Sequence, residues 1–297
     1  MDKKLLKTLE DKIIKTISGR KYSKYYFMGL NKIYRFVKSN LLKTRSICKT
    51  VVPNDYPITN LYYATIQKTG SQWLKRIFSD ERIKKHTGLA VYPQYEYEYG
   101  DFHTIFPKYT FVPGLYIPYQ LYEEIKKPQQ YKTFYVIRDP RNIVVSWYYS
   151  MLNSHRPINN KVVKYRKKLN SMDYENGLKY CIRKQSLKFS FMRSWVYSSD
   201  DPNVLIIKFE DLINNNFREL KKIFNHCGFD IPDSCLREVL EDYTKDKMRE
   251  KNLARRRDSK SHYRKKSSDW RKAFSDSHKK LFYQTTGDLV DILGYKR

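Results

Sequence analysis

Two short stretches set anion-seeking side chains just after strand-like runs. The first is Gln67-Lys68-Thr69-Gly70-Ser71-Gln72-Trp73, which follows the apolar run at 61–66 and leads into a helical pattern. A loop between a strand and a helix points backbone N–H groups into a concave array at the positive end of the helix dipole. Lys68 adds a flexible point charge, Gly70 lets the chain approach closely, Ser71 supplies a hydroxyl and Trp73 a flat face for a purine. The G-x-x-x-x-G-K-[ST] spacing of a nucleotide triphosphatase is missing, so the loop suits a terminal oxyanion. Lys and Gly also serve structural ends in such turns, so the pentad carries little weight alone.

The second stretch, "RDPRNIVVS" at 138–146, changes the odds. Arg138 closes a strand-like run, and Ser146 lies two helical turns further on, able to come back alongside the strand end. The guanidinium fork with a hydroxyl makes a phosphate clamp. Two neighbouring anion sites suggest a ligand with phosphates at both ends of a nucleoside.

The elements that must position these groups follow from hydropathy. Runs at 61–66, 131–137 and 203–209 read as strands, and helices are expected at 71–79, 141–152 and 174–198. Asp139-Pro140 breaks the second strand, and Asp211 is the expected cap of the helix after the third. Strands alternating with helices imply an α/β fold: a three-layer parallel β-sheet flanked by helices, with a P-loop-like nucleotide-binding core and ligands at the carboxyl ends of the strands. Residues 56–297 form that domain. Residues 1–55, rich in lysine with apolar positions at helical spacing, read as a basic helical N-terminal extension.

Charge narrows the partners. The chain of 297 residues has 59 Lys and Arg against 31 Asp and Glu, a net charge of +28. Residues 1–50 hold +11 and residues 245–275 hold +9, so the excess is concentrated at two places. Such surfaces favour phosphorylated cofactors, acidic lipids or acidic glycans. Residues 1–50 could lie on an anionic membrane, or pack on their own domain. Cys48, Cys181, Cys227 and Cys235 are scattered without a metal-ligand pattern, which fits a reducing compartment and no metal. No run of about 18 apolar residues suggests a spanning helix, and the lysine-rich start is unlike a secretory signal. A cytoplasmic protein, peripheral to a membrane at most, is expected.

With these motifs in order, the chain resembles the sulfotransferases that use 3′-phosphoadenosine 5′-phosphosulfate (PAPS). The matches are "QKTGSQW" (67–73), "RDPRNIVVS" (138–146), "FEDL" (209–212) and "YRKKSSDWRKAF" (263–274), with the closing "GDLVDILGY" similar to the family's last helix. Together they span roughly residues 60–297. The resemblance implies that Lys68 bridges the 5′-phosphate and the sulfuryl group. It implies further that Thr69, Gly70, Ser71, Gln72 and Trp73 hold the 5′-phosphate, with Trp73 stacked on adenine. Arg138 and Ser146 would grip the 3′-phosphate, and Arg264 and Lys265 would close over it. Transfer to a hydroxyl or amine acceptor would proceed by in-line displacement, without a metal.

Three departures stand out. Lys and Ser replace glycines in the basic closing motif, Phe209 replaces a Tyr, and Tyr116 stands where many members carry a catalytic His. His103 is the first candidate for the base that takes the acceptor's proton, followed by Asp101, Glu96 or Glu98. A nucleotide kinase would need a Walker-type Lys-Ser/Thr and a magnesium-binding Asp, and neither is evident. A catalytically degenerate PAPS-binding protein, or a basic polyanion binder, is the alternative. The acceptor is left open; the aromatics at 92–122 (Tyr92, Tyr95, Tyr97, Tyr99, Phe102, Phe106, Tyr109) suit sugar rings, phenols or lid packing, and the basic surface favours an acidic carbohydrate. No specific nucleic acid partner is expected.

Overall fold

The computed structural model describes residues 56–92, 105–155, 160–196, 198, 200–254 and 269–297. The expected extension at 1–55, the acidic-aromatic residues 93–104 and the basic stretch 255–268 lie outside them.

Leu61 to Ala64 are fully buried, and the strand β1 they belong to, Asn60–Thr65, is buried along its whole length. The chain then forms α1 (Ser71–Phe78), α2 (Glu81–Thr87), β2 (Ala90–Val91), β3 (Thr110–Leu115), α3 (Tyr119–Glu123) and β4 (Tyr131–Ile137). There follow α4 (Pro140–Tyr149), a π-helical turn (Ser150–Ser154), α5 (Asn160–Asn170), α6 (Tyr174–Val196) and β5 (Val204–Lys208). The rest is helical: α7 (Phe209–Asn214), α8 (Asn216–His226), α9 (Asp233–Asp242), α10 (Lys245–Ala254), α11 (Trp270–Ala273), α12 (Asp276–Thr286) and α13 (Leu289–Ile292).

All five strands are parallel, in the order β2-β3-β1-β4-β5. From β1 the chain turns toward β2 and β3 on one side; after β3 it crosses to β4 and β5 on the other. The tips of β1 and β4 therefore flank the point where the strand order reverses, which is where open α/β sheets hold their ligands.

Alternation along the strands builds two cores. Tyr62 and Ala64 of β1, with Tyr135 and Ile137 of β4, face α4, α6 and the C-terminal helices. Leu61, Tyr63, Phe134 and Val136 face α1, α8 and α9. Successive residues of a strand point to opposite faces, so burial on both sides demands a continuous apolar run. Flat rings fill the layers. Phe78 stacks on Phe111 at 4.3 Å, Tyr63 on Phe134 at 4.7 Å, and Tyr135 on Trp195 at 4.5 Å. The buried Tyr135 hydroxyl has no hydrogen-bond partner among the described residues. Trp195 also donates its indole N–H to the Ile117 carbonyl at 2.8 Å, fastening the segment after β3 to α6.

The three anticipated strands are present, with β5 ending at Lys208 and Phe209 opening the next helix. Two further strands were not anticipated. In β3, Pro113 and Gly114 resemble strand breakers, but they coincide with a register shift opposite Tyr63 and Ala64. Such an irregularity is where a strand tolerates a residue without an N–H. The helix after Asp139 ends at Tyr149 and widens into the π-helical turn, short of 152. Asp211 is not a cap: it lies in the first turn of α7, whose N-cap is Lys208, while Asn215 caps α8 by accepting from the Arg218 amide.

Two predictions follow from this packing. Trp195→Ala removes a fully buried indole and strands the Ile117 carbonyl. It should cost about 3–5 kcal/mol in urea unfolding. The second concerns Glu175, which ties α6 to α12. The Ser277 hydroxyl foremost, then Lys179, hold its carboxyl down at about 2. A depressed carboxylate pKa gives stability that is present above the unfolded value of about 4.3 and lost as pH falls toward the folded one. Glu175→Gln should therefore lower stability at pH 7 and flatten the acid limb of the stability curve between about pH 4 and pH 2, where the two proteins converge.

Candidate functional site

The loop after β1 is built on threonines. Thr65 Oγ1 donates to the Val136 carbonyl of β4 at 2.8 Å and lies 2.6 Å from Thr69 Oγ1, which donates to the Ile66 carbonyl at 2.8 Å. Thr69 is fully buried, so its side chain shapes the loop from inside. Both Lys68 (φ 80°) and Gly70 (φ 84°) adopt left-handed backbone, which folds the chain into a concave turn before α1. Gly70 is the N-cap of α1, and no side chain caps that helix. The first turn of α1 carries no acidic residue, so its dipole faces the loop without local neutralisation. A Cβ on Gly70 would stand 2.9 Å from Phe209 Cε2. Glycine is thus required both by conformation and by the closeness of the ring.

Arg138 reaches this loop from the tip of β4. Its Nη1 donates to the Lys68 carbonyl at 2.5 Å, and its guanidinium lies 4.5 Å from the centre of the Phe209 ring. Lys68, Gly70, Arg138 and Phe209, expected from separate motifs, thus form one cluster across β1, β4 and the end of β5. Ser71 joins it, and so does the residue standing where many members carry a histidine: Tyr116, just beyond β3, whose hydroxyl lies 2.9 Å from Ser71 Oγ. Its bond to the anion loop had no signal in the sequence, because β3 was not anticipated.

Other expected residues sit less centrally. Trp73, in the first turn of α1, packs against the core and donates its indole N–H to the Tyr243 carbonyl at 2.8 Å. Gln72 follows Ser71 in the first turn of α1. Ser146 lies on α4, 9% exposed, and the hydrogen bonds of the Lys68–Arg138 cluster do not include it among the described residues. His103, Asp101, Glu96, Glu98, Arg264 and Lys265 lie outside the described residues.

The strand tips are braced by a layer that the motifs did not single out. Asp139 caps α4 and grips Arg141 through both carboxylate oxygens, at 2.9 and 2.8 Å. Arg141 is 1% exposed; it lies 3.8 Å from the Trp270 ring centre and donates to the Lys296 carbonyl at 2.6 Å. The second arginine of "RDPRN" is therefore structural. Glu210 accepts from the Asp139 amide at 3.2 Å and from the Tyr295 hydroxyl at 2.7 Å, linking the residue after Arg138 to the final helix region. Burial, then the Glu210 charge, push the Tyr295 phenol well above its usual range, so it stays protonated and donates to Glu210. "FEDL" and "LGY" contained both residues; only coordinates reveal their bond.

The comparisons agree with this architecture. The sequence model of the sulfotransferase domain matches residues 59–293, and the chain belongs to that family. Among solved structures, it is similar to mouse sulfotransferase SULT7A1 complexed with PAP, at 20% identity and a TM-score of 0.55, covering 78% of this chain and 84% of that one. It is also similar to retinol dehydratase in complex with androsterone and inactive cofactor PAP, at 16% identity and a TM-score of 0.51, covering 80% and 82%. A second retinol dehydratase structure, with retinol and PAP, matches at 17% identity and 0.50, covering 82% and 84%. At these identities the likeness is one of fold. No curated protein matches the sequence. Among the described residues, no group of three or more His, Cys, Asp or Glu could hold a metal ion, and no helix is long and apolar enough to cross a membrane.

Two substitutions probe the cluster. Gly70→Ala should lose about 1–2 kcal/mol of stability from the left-handed backbone and displace Phe209, weakening nucleotide binding in calorimetry. Asp139→Ala leaves the Arg141 guanidinium buried without its partner. Its cost should reach about 3–5 kcal/mol in chemical unfolding.

Proposed function

We propose that this chain transfers the sulfuryl group of PAPS to a hydroxyl or amine acceptor, with carbohydrate the favoured class. The observation that carries this reading is the meeting of the Lys68–Ser71 loop with Arg138 at neighbouring strand tips, through the 2.5 Å bond from Arg138 to the Lys68 carbonyl. The uncapped N-terminus of α1 behind left-handed Lys68 and Gly70 fits a phosphate or sulfate oxyanion. When bound, PAPS supplies an activated sulfuryl group on its 5′-phosphate.

In this reading Lys68 neutralises charge on the transferring group and its 5′-phosphate, while the Thr69–Trp73 stretch orients that phosphate. Arg138 and Ser146 hold the 3′-phosphate, Arg264 and Lys265 close over it, and Phe209 and Trp73 offer apolar surface to the base. His103, then Asp101, Glu96 or Glu98, are candidates to take the acceptor's proton, and Tyr116 competes with them. His103 has the better intrinsic pKa; Tyr116 has a hydroxyl already bonded to Ser71 in the anion loop. A cytoplasmic setting, with residues 1–50 against anionic lipid, belongs to the same reading and accords with the free, buried thiols of Cys181 and Cys227. Tyr116 in place of a histidine also favours a second reading, a PAPS-binding protein without turnover.

Adenosine 3′,5′-bisphosphate should raise the melting temperature far more than ATP does; equal stabilisation would overturn the reading. Lys68→Ala should lower transfer from labelled PAPS by roughly a hundredfold or more. Rate against pH then separates the bases: an ascending limb near about 6.5 indicates histidine, and one climbing toward about 10 indicates Tyr116. Nucleotide binding with no transfer to pooled glycans, lipids and phenols would select the non-catalytic reading.

A further inference from the structure

Away from the strand tips, α5 and α6 enclose a groove of about 490 Å³ lined by Asn160, Lys164, Tyr165, Lys168 and Tyr180. Helix α5 carries five basic residues and no acidic one in eleven positions. One of them is committed to the fold: Arg166 donates to the Met151 and His155 carbonyls at 2.9 and 2.5 Å, fixing α5 on the π-helical turn. Lys164 and Lys168 are exposed one turn apart, a like-charge spacing that costs helix stability. On the facing helix, the Lys184 ammonium lies 5.5 Å from the Tyr180 ring centre. None of these three lysines forms an ion pair with a carboxylate among the described residues.

Aromatic rings form the floor. Tyr165 meets Trp147 edge-on at 5.5 Å and Tyr180 at 6.3 Å. Trp147 lies on α4, so the floor of the groove is anchored to the helix that follows β4. Uncompensated ammonium groups around half-buried rings specify a ligand that is anionic and has flat apolar faces of its own. Tyr165 and Tyr180 stand too close and too steeply inclined (65°) for a nucleobase to slide between them. A pyranose ring needs only one such face, with its carboxylate or sulfate groups reaching the lysines and its hydroxyls reaching Asn160 and the phenols.

We propose that the α5–α6 groove binds an anionic polysaccharide strand, through Lys164, Lys168 and Lys184 above the Tyr165 and Tyr180 rings. This rests on the sulfuryl-transfer reading for its choice of a saccharide, and it assigns the acceptor class to a surface distinct from the nucleotide cluster.

The test uses the full chain and a fluorescent heparin octasaccharide, with anisotropy read at several salt concentrations. Lys164→Glu/Lys168→Glu should weaken binding roughly tenfold or more and flatten its salt dependence, because two cationic contacts are lost while the other basic regions stay constant. Tyr165→Ala should weaken it without changing the salt slope. Adenosine 3′,5′-bisphosphate binding should be unchanged in both variants, and circular dichroism should report intact helix. Unaltered octasaccharide affinity in the lysine variant would overturn the groove. So would equal sensitivity of duplex DNA, or of vesicles containing phosphatidylserine, to the same substitutions. Failure of the wild-type chain to bind the bisphosphate would instead overturn the transferase reading, a separate result.

Discussion

One contact across the sheet governs the candidate site: the loop leaving β1 is held against the tip of β4. Arg138 reaches over to the Lys68 carbonyl, and Thr65 reaches from β1 to the Val136 carbonyl. These bonds join two strands whose connections depart in opposite directions, so a crevice opens between them by topology alone. A lysine, an arginine and an uncapped helix end then face the crevice.

The division of labour between Arg138 and Arg141 shows how the same residue type is assigned opposite tasks three positions apart. Arg138 is partly exposed beside Phe209 and the anion loop. Arg141 is sealed beneath Trp270 and bound to Asp139. A buried ion pair contributes little net stability over an apolar pair, yet losing one partner is costly. Its value here is geometric. It fixes the start of α4, and Glu210 extends the same bracing to the Asp139 amide and to Tyr295.

The turn at 67–73 and the strand at 131–137 were legible because β-α units leave strong local marks: a buried apolar run, a small polar turn, then a helical pattern. The meeting of the Lys68 turn with Arg138 was foreshadowed for the same reason, since both lie at the ends of those strands. What escaped was non-local. Pro113 and Gly114 disguise β3, whose pairing depends on a register shift in a partner fifty residues away. Without β3, nothing could bring Tyr116 to Ser71. Trp73 was read for its flat face, but its N–H is already engaged by a carbonyl 170 residues on. Asp211 fits the composition of a cap and misses its position, because the chain enters α7 directly from Lys208.

On β4, the Tyr135 ring stacks on Trp195 while its buried hydroxyl has no hydrogen-bond partner among the described residues. Burying a hydroxyl without a protein partner carries a desolvation cost that phenylalanine would not. The strand that leads into Arg138 thus gives up a little stability that a plain phenyl ring at the same place would keep.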